Sequence, residues 1–205
     1  MDSSTAAPPF DFTLHIRHVC DDMVGRLDEL AHIDMSRVAL SFCQTRKSVS
    51  YGLFASLTPL RFAGGAATSV RRGREVAIQR VCDKNGREML YILSFYLPRF
   101  QNLDFREKLI TVLHELWHIS PDFSGDIRRH AGRYHTHTHS QAEYDEEMGR
   151  LADRWLGLGP SRDLWRFLHD DFRQLSARYG GLVGLRIRRP RIVPVTSIAG
   201  CSGRE

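Results

Sequence analysis

Residues 104–121 limit the fold more than any other part of the chain, because they predict one helix with a defined beginning and end. Asp104 and Glu107 fit the N-cap and N3 positions of a capping box. Apolar residues then recur at helical spacing, and Pro121 cannot continue a helix. A helix with such an apolar face buries it, so we expect this helix to pack against the rest of a globular domain.

The same helix carries two histidines four residues apart, with a glutamate beside the first. His114 and His118 share one helix face, so their imidazoles can meet at a single zinc ion. Glu115 is rotated off that axis and can take a proton from a water molecule instead of binding the metal. The alternative is a surface helix with two exposed histidines. Six of the ten histidines lie between residues 114 and 139, which favours a metal site.

A catalytic zinc takes three protein ligands and keeps its fourth position for water, so a third ligand is needed. The metzincin continuation would place glycine and histidine three and six residues after the second histidine, but Pro121 and Ser124 stand there. His139 adjoins the helix predicted to start at Ser140, so it is held most firmly. The histidine-rich run is also consistent with a loose, metal-binding surface segment. The other candidates are His130, His135, His137, Glu143, Asp145, Glu146, Asp122 and Asp126.

The sequence before the motif helix predicts a sheet. Short segments rich in β-branched and aromatic residues lie between residues 36 and 97, and Asn85-Gly86 between two of them predicts a β-hairpin. The glycine-rich stretch 62–73 is expected to be a flexible loop. Helical spacing predicts further helices over residues 12–33, from Ser140 to about Gly157, and over 161–179. The predicted fold class is therefore α+β, with a small, mainly antiparallel sheet packed on the motif helix and a helical C-terminal part.

Composition and patterning predict one domain. Residues 1–10 are expected to be a disordered tail, 11–185 a single domain, and 186–205 a basic arm or tail. No apolar run is long enough for a membrane span, and no secretory signal is recognisable at the start. Cysteines 20, 43, 82 and 201 are widely scattered, so we expect reduced thiols in a cytoplasmic protein. The oligomeric state is not encoded in any pattern here.

The net charge of +5 is carried almost entirely by arginine, with 26 Arg against three Lys. Two clusters stand out, "VRRGR" at 70–74 and "RIRRPR" at 186–191. If they form one face, they would allow weak contact with nucleic acid. The competing interpretation is therefore a basic, nucleic-acid-associated module with a structural or silent metal site.

The stretch "HELWHISPDFSGDIRRH", followed by "HTHSQAEYDEEM", resembles metallopeptidases from bacteria and phages, minimal zincins similar in outline to the SprT-like proteins. The resemblance covers residues 36–156. It implies a zincin-like domain in which zinc is held by His114, His118 and His139, with Glu115 as general base. It also implies a peptide or protein substrate, although another amide, such as a cell-wall peptide, is an alternative. The chain lacks a metzincin Met-turn and the cysteine-rich ribbon of some SprT-like proteins.

Two further expectations concern the substrate. Tyr134, Tyr144 and Arg128 or Arg129 are the nearest candidates to stabilise a developing oxyanion. The strand segment "MLYILSFYL" could present an edge to which an extended peptide adds, although a core role is the commoner one.

Overall fold

The computed structural model describes residues 8–45, 52–129 and 141–197, with the side chains of 141–145 and 197 left aside. It is a mixed α+β fold, as predicted. The strands are β1 (Phe10–Asp11), β2 (Val38–Gln44), β3 (Ala55–Pro59), β4 (Thr68–Arg71), β5 (Arg74–Ile78), β6 (Tyr91–Leu97), β7 (Leu182–Val183) and β8 (Ile192–Pro194). The helices are α1 (Phe12–Arg26), α2 (Phe105–Trp117), α3 (Gln141–Gly157), α4 (Arg162–Trp165) and α5 (Phe172–Tyr179).

The first sheet has the strand order β2-β6-β3 and lies next to the motif helix α2. β6 is its central strand and is buried along almost its whole length. It runs parallel to β2 and antiparallel to β3, so this sheet is mixed. Because β6 is central, its backbone is paired on both sides. The expectation that "MLYILSFYL" offers an open edge is therefore wrong, and its core role is confirmed.

The second sheet has the order β4-β5-β8 and is antiparallel throughout. β4 and β5 are joined by a tight turn in which Arg72 and Gly73 both have positive φ, 51° and 72°, as a two-residue hairpin requires. The expectation of a flexible loop over 62–73 is therefore wrong for its second half, which is strand β4 and this turn.

The hairpin predicted at Asn85-Gly86 forms only next to its turn. Met89 N donates to Val81 O, and the backbones of Cys82 and Glu88 form an isolated antiparallel β-bridge. Beyond these residues the chain separates, because β5 belongs to the second sheet and β6 to the first. Turn chemistry fixes the few residues around the turn, whereas burial against distant elements selects the partner of each strand.

Helix α2 begins with the predicted capping box, in which Asp104 N donates to Glu107 Oε2 at 3.2 Å. Leu109, Val112 and Leu113 are fully buried in the main core. Lys108 is also buried, and its ammonium donates to Leu168 O and Asp170 O. α2 is therefore fixed between the sheet on one side and the C-terminal segment on another.

Two of the other predicted helices are shorter or divided in the structure, whereas α3 ends at Gly157 as predicted. α1 starts as expected, with the Asp11 carboxylate accepting from Leu14 N, but it ends at Arg26 instead of continuing to Ile33. The predicted helix over 161–179 divides into α4, a 3-10 turn and α5. The division occurs because Asp171 forms a new capping box with Gln174. α3 begins at Gln141; its predicted N-cap lies outside the described residues.

Near both predicted domain boundaries, residues on the tail side and on the arm side pack or pair with the rest of the fold. Phe10 is buried and pairs in parallel with Leu182 across β1 and β7. On the C-terminal side, Ile187 N donates to Ser41 Oγ and Phe42 N donates to Leu185 O. The chain then continues into β8, so residues 185–194 run along the edge of the first sheet and join the second.

The expectation of four reduced cysteines is wrong for Cys82, which is disulfide-bonded. Cys20 and Cys43 are free thiols, and Cys20 is buried. Disulfide formation depends on which cysteines meet in three dimensions, and spacing along the sequence does not reveal that. Among the described helices, none is long and apolar enough to cross a membrane.

Candidate active site

The two histidines of the motif converge at the C-terminal end of α2. Their Nε2 atoms lie 2.9 Å apart, and the ring planes are inclined by 79°. His118 is the C-cap residue, and its N–H donates to His114 O, which completes the last turn. The helix geometry therefore brings together the pair that the spacing predicts.

Glu115 lies on the neighbouring face of α2 and points into the protein. Only 9% of the residue is exposed. Burial raises the pKa of its carboxyl to about 7, and a hydrogen bond from the backbone N–H of Leu57 partly opposes that rise. A carboxyl group of this kind can exchange a proton near neutral pH.

The hydrogen bond to Glu115 comes from the open edge of the first sheet. Tyr96 N donates to Phe54 O and Leu60 N donates to Leu90 O. The backbone N–H and C=O groups of the even-numbered residues of β3 therefore point towards β6. The backbone groups of Ala55 and Leu57 consequently point away from the sheet. β3 ends the sheet among the described strands, and its open edge lies beside the motif helix.

A loop after the motif, residues 119–129, is held to the sheet by Tyr91. The Tyr91 hydroxyl donates to Asp126 O at 2.8 Å, accepts from Gly125 N at 2.9 Å and lies 3.1 Å from Ser120 Oγ. Sequence reasoning missed this role of Tyr91. The only signal was a tyrosine at the start of a mainly apolar strand.

Asp126, weighed from the sequence as a metal ligand, instead joins two loops. Its carboxylate accepts from Gly64 N at 2.8 Å and Ile127 N at 2.8 Å and pairs with the Arg129 guanidinium at 3.0 Å. Burial alone would raise the pKa of this carboxyl, but these hydrogen bonds outweigh burial and lower it. The carboxylate is already engaged by three donors.

The arginines considered for oxyanion stabilisation are also engaged elsewhere. Arg129 pairs with Asp126. Arg128 stacks on the Trp117 ring, with its guanidinium carbon 4.3 Å from the ring centroid, and its Nε donates to Trp117 O. These contacts hold the end of α2. Tyr134 lies outside the described residues, as does the side chain of Tyr144.

The third ligand cannot be placed on the described part of the chain. His139 and the other histidines considered, His130, His135 and His137, lie outside it, as do the side chains of Glu143 and Asp145. Glu146 is exposed and pairs with Arg150, and Asp122 is exposed. Within residues 8–45, 52–129 and 146–196, no three His, Cys, Asp or Glu side chains are grouped as a metal would require.

The histidine pair nevertheless fits a zinc ion. Tetrahedral zinc with bonds of about 2.0–2.1 Å separates two ligand nitrogens by roughly 3.3 Å. The observed 2.9 Å between the Nε2 atoms is close to this value, so small rotations of the imidazoles are enough. Imidazole nitrogen is also a ligand type that zinc prefers.

Two converging imidazoles and a buried glutamate on one helix are typical of metal-dependent hydrolases. The comparison with protein families gives the same class. A family model described as "Putative phage metallopeptidase" matches residues 14–159, well over half of the chain, and the chain belongs to this family. The family implies metallopeptidase activity and a metal cofactor. No curated protein and no solved structure matches the chain.

Proposed function

We propose that this protein is a zinc-dependent peptidase in which Glu115 is the general base. The observation that carries the proposal is the 2.9 Å approach of the His114 and His118 Nε2 atoms on a helix whose next residue is a buried glutamate. Membership of a metallopeptidase family supports the reaction class.

His114 and His118 would hold the metal, together with His139. The third ligand rests on the resemblance noted from the sequence, in which a histidine near the start of the next helix completes the site. Zinc, when bound, supplies a Lewis acid that polarises the scissile carbonyl and lowers the pKa of a water molecule.

Glu115 would take the proton from the attacking water and deliver it to the leaving amine. Its position suits both transfers, because α2 presents it one residue from His114 while the Leu57 N–H favours its ionised form. The proton removed in the first step is the one that the amine needs when the peptide bond breaks.

The substrate would be an extended peptide lying along the open edge of β3. The outward backbone groups of Ala55 and the carbonyl of Leu57 can pair with such a chain, as in β-strand addition. Comparing unstructured peptides with peptidoglycan fragments would separate a peptidase from a hydrolase of cell-wall peptides. Preferential cleavage of the fragments would move the assignment to the second class.

The test compares wild type with Glu115→Gln, purified without a metal-affinity tag. We expect about one zinc per chain in both proteins, and peptide cleavage reduced roughly 10²- to 10⁴-fold in the variant. Glu75→Gln, an exposed glutamate on β5, is the matched control and should cleave normally. Full activity in Glu115→Gln, or no zinc in wild type after incubation with the metal, would refute the proposal.

The third ligand needs a separate measurement. His139→Ala should lose most of its zinc if this histidine completes the site. Full zinc in that variant would move the ligand to His135, His137 or a carboxylate, while leaving the role of Glu115 unchanged.

A further inference from the structure

The arginine clusters of the sequence belong to one structural unit. "VRRGR" forms the end of β4, the tight turn and the start of β5, while "RIRRPR" leads directly into β8. β8 pairs with β5, and Gln79 N donates to Arg191 O at 2.8 Å. Arg191 therefore lies beside the end of β5 that is opposite the tight turn, about 17 Å along the strand from Arg74 at the usual rise per residue. We call residues 68–78 and 184–194 the basic sheet.

The basic sheet holds the whole charge excess of the protein. It contains seven arginines and one acid, Glu75, a net charge of +6 against +5 for the entire chain. The remainder of the chain is thus slightly acidic. The seven are Arg71, Arg72, Arg74, Arg186, Arg188, Arg189 and Arg191, and all are exposed.

Several arginines elsewhere on the protein have their charge balanced by a nearby carboxylate. Arg61, Arg106 and Arg154, for example, each pair with a carboxylate. Within the described residues, none of the seven arginines of the basic sheet forms an ion pair with a carboxylate. Their charge remains available to a partner.

The hairpin end of the basic sheet has a local arrangement that opposes its own stability. Arg71 and Arg74 are directly opposite across β4 and β5, where like charges repel. Arg72 between them adopts a positive φ that non-glycine residues rarely take. Arg71 is oriented by the Phe62 ring, 5.8 Å from its guanidinium carbon. An anion placed over this turn would relieve the repulsion.

From these observations we infer that the basic sheet binds the phosphate backbone of nucleic acid. Its cations are all arginine, whose planar fork matches two phosphate oxygens at once. The distance of about 17 Å between Arg74 and Arg191 corresponds to about five base pairs of duplex, and a two-stranded ribbon such as β4–β5 fits the width of a major groove. β4, β5 and β8 belong to a different sheet from the one that lies next to α2, so we expect substitutions in the basic sheet to leave peptidase activity unchanged.

The chemistry of the surface favours nucleic acid over an anionic membrane. Interfacial membrane binding uses an amphipathic helix with bulky Trp, Phe or Leu beside the basic residues. The basic sheet instead consists of strands and an extended segment. The large apolar side chains exposed on it, Val70, Leu185 and Ile192, are spread over β4, β8 and the segment before β8 and do not form the single apolar face of such a helix.

The experiment measures binding of a short fluorescent DNA duplex of mixed sequence between about 50 and 200 mM salt. If six phosphates are contacted, the plot of log K against log salt should have a slope of about −5. Arg72→Gln/Arg74→Gln and Arg188→Gln/Arg189→Gln should each weaken binding roughly tenfold at low salt and make the slope shallower by about 2.

Arg150→Gln/Arg166→Gln is the matched control, because it removes the same charge from exposed arginines on the helical side. It should keep the wild-type slope, and all variants should keep the wild-type melting temperature and peptide cleavage. No binding to the duplex, or equal weakening by the control pair, would overturn the inference. Binding to vesicles containing phosphatidylserine in preference to DNA would also overturn it.

Discussion

Asp126 connects the loop after β3 to the loop after α2, and this residue gives the clearest prediction about stability. Its carboxylate joins Gly64, in the loop after β3, to Ile127 and Arg129, in the loop after α2. Asp126→Asn keeps the shape but loses the charge, so we expect a loss of about 1–3 kcal/mol in the free energy of unfolding at neutral pH. Urea unfolding measures it, with the exposed Asp122→Asn as control.

The same contribution depends on pH in a definite direction. The pKa of Asp126 is lower in the folded protein than in the unfolded chain, so the folded state favours the ionised form. The stabilisation is complete above the unfolded pKa of about 4 and is lost as pH falls through the lowered folded value. Wild type and Asp126→Asn should therefore converge in stability in acid. A constant difference down to the lowest pH at which both fold would contradict this account.

At the scale of single residues, the sequence predicted those features that depend only on neighbouring residues. The capping boxes and the histidine pair need only residues within one or two turns, so spacing was sufficient. Tyr91 contacts Ser120 and Asp126, and Asp126 contacts Gly64, across 29 to 62 positions in sequence. Cys82 likewise meets its partner only after folding. Contacts between residues far apart in sequence leave no local pattern. Asp126 was therefore considered only as a possible metal ligand, and its role in joining two loops was not predicted.

At the scale of elements, β3 is the strand that the proposed function depends on. The outward N–H of Leu57 contacts Glu115 and lies on the edge available to a peptide. Leu57→Pro removes this N–H without removing a ladder hydrogen bond, because the ladder uses the even-numbered residues. We expect peptide cleavage to fall at least tenfold, an order-of-magnitude figure for one misplaced catalytic contact.

Leu57→Ala is the matched comparison, since it shortens the same side chain but keeps the N–H. Its cleavage rate per folded molecule should stay near that of wild type, and circular dichroism gives the folded fraction of each variant. If the alanine and proline variants lose activity equally, the side chain matters and the edge N–H does not.

The elements themselves were predictable where periodicity alone defines them. The motif helix and the strands of the first sheet followed from apolar spacing. The pairing of β5 with β4 and β8 did not, because the Asn85-Gly86 turn suggested β6 as its partner. The helix predicted over 161–179 failed for a related reason: Asp171 can start a helix as well as occupy one, and the buried Lys108 fixes the chain just before it through Asp170 O.

At the scale of the whole molecule, metal binding should appear as stability. A ligand that binds only the folded state stabilises it by about 2.7 kcal/mol at a hundredfold excess over its dissociation constant. For a domain of this size that corresponds to a rise of about 5–10 °C in melting temperature. We expect zinc to produce this rise in wild type and a chelator to reverse it. His114→Ala/His118→Ala should lack the response, because it removes both converging imidazoles.

Glu115→Gln separates metal binding from catalysis in the same measurement. It keeps the imidazoles of His114 and His118, so its melting temperature should respond to zinc as wild type does while peptide cleavage is lost. A rise of equal size in His114→Ala/His118→Ala would mean that zinc binds elsewhere, with the histidine-rich run at 135–139 as an alternative source of ligands. The motif would then be a helix with two histidines and no metal. If zinc raises the melting temperature of wild type and Glu115→Gln but not that of His114→Ala/His118→Ala, only a zinc site on α2 explains the result.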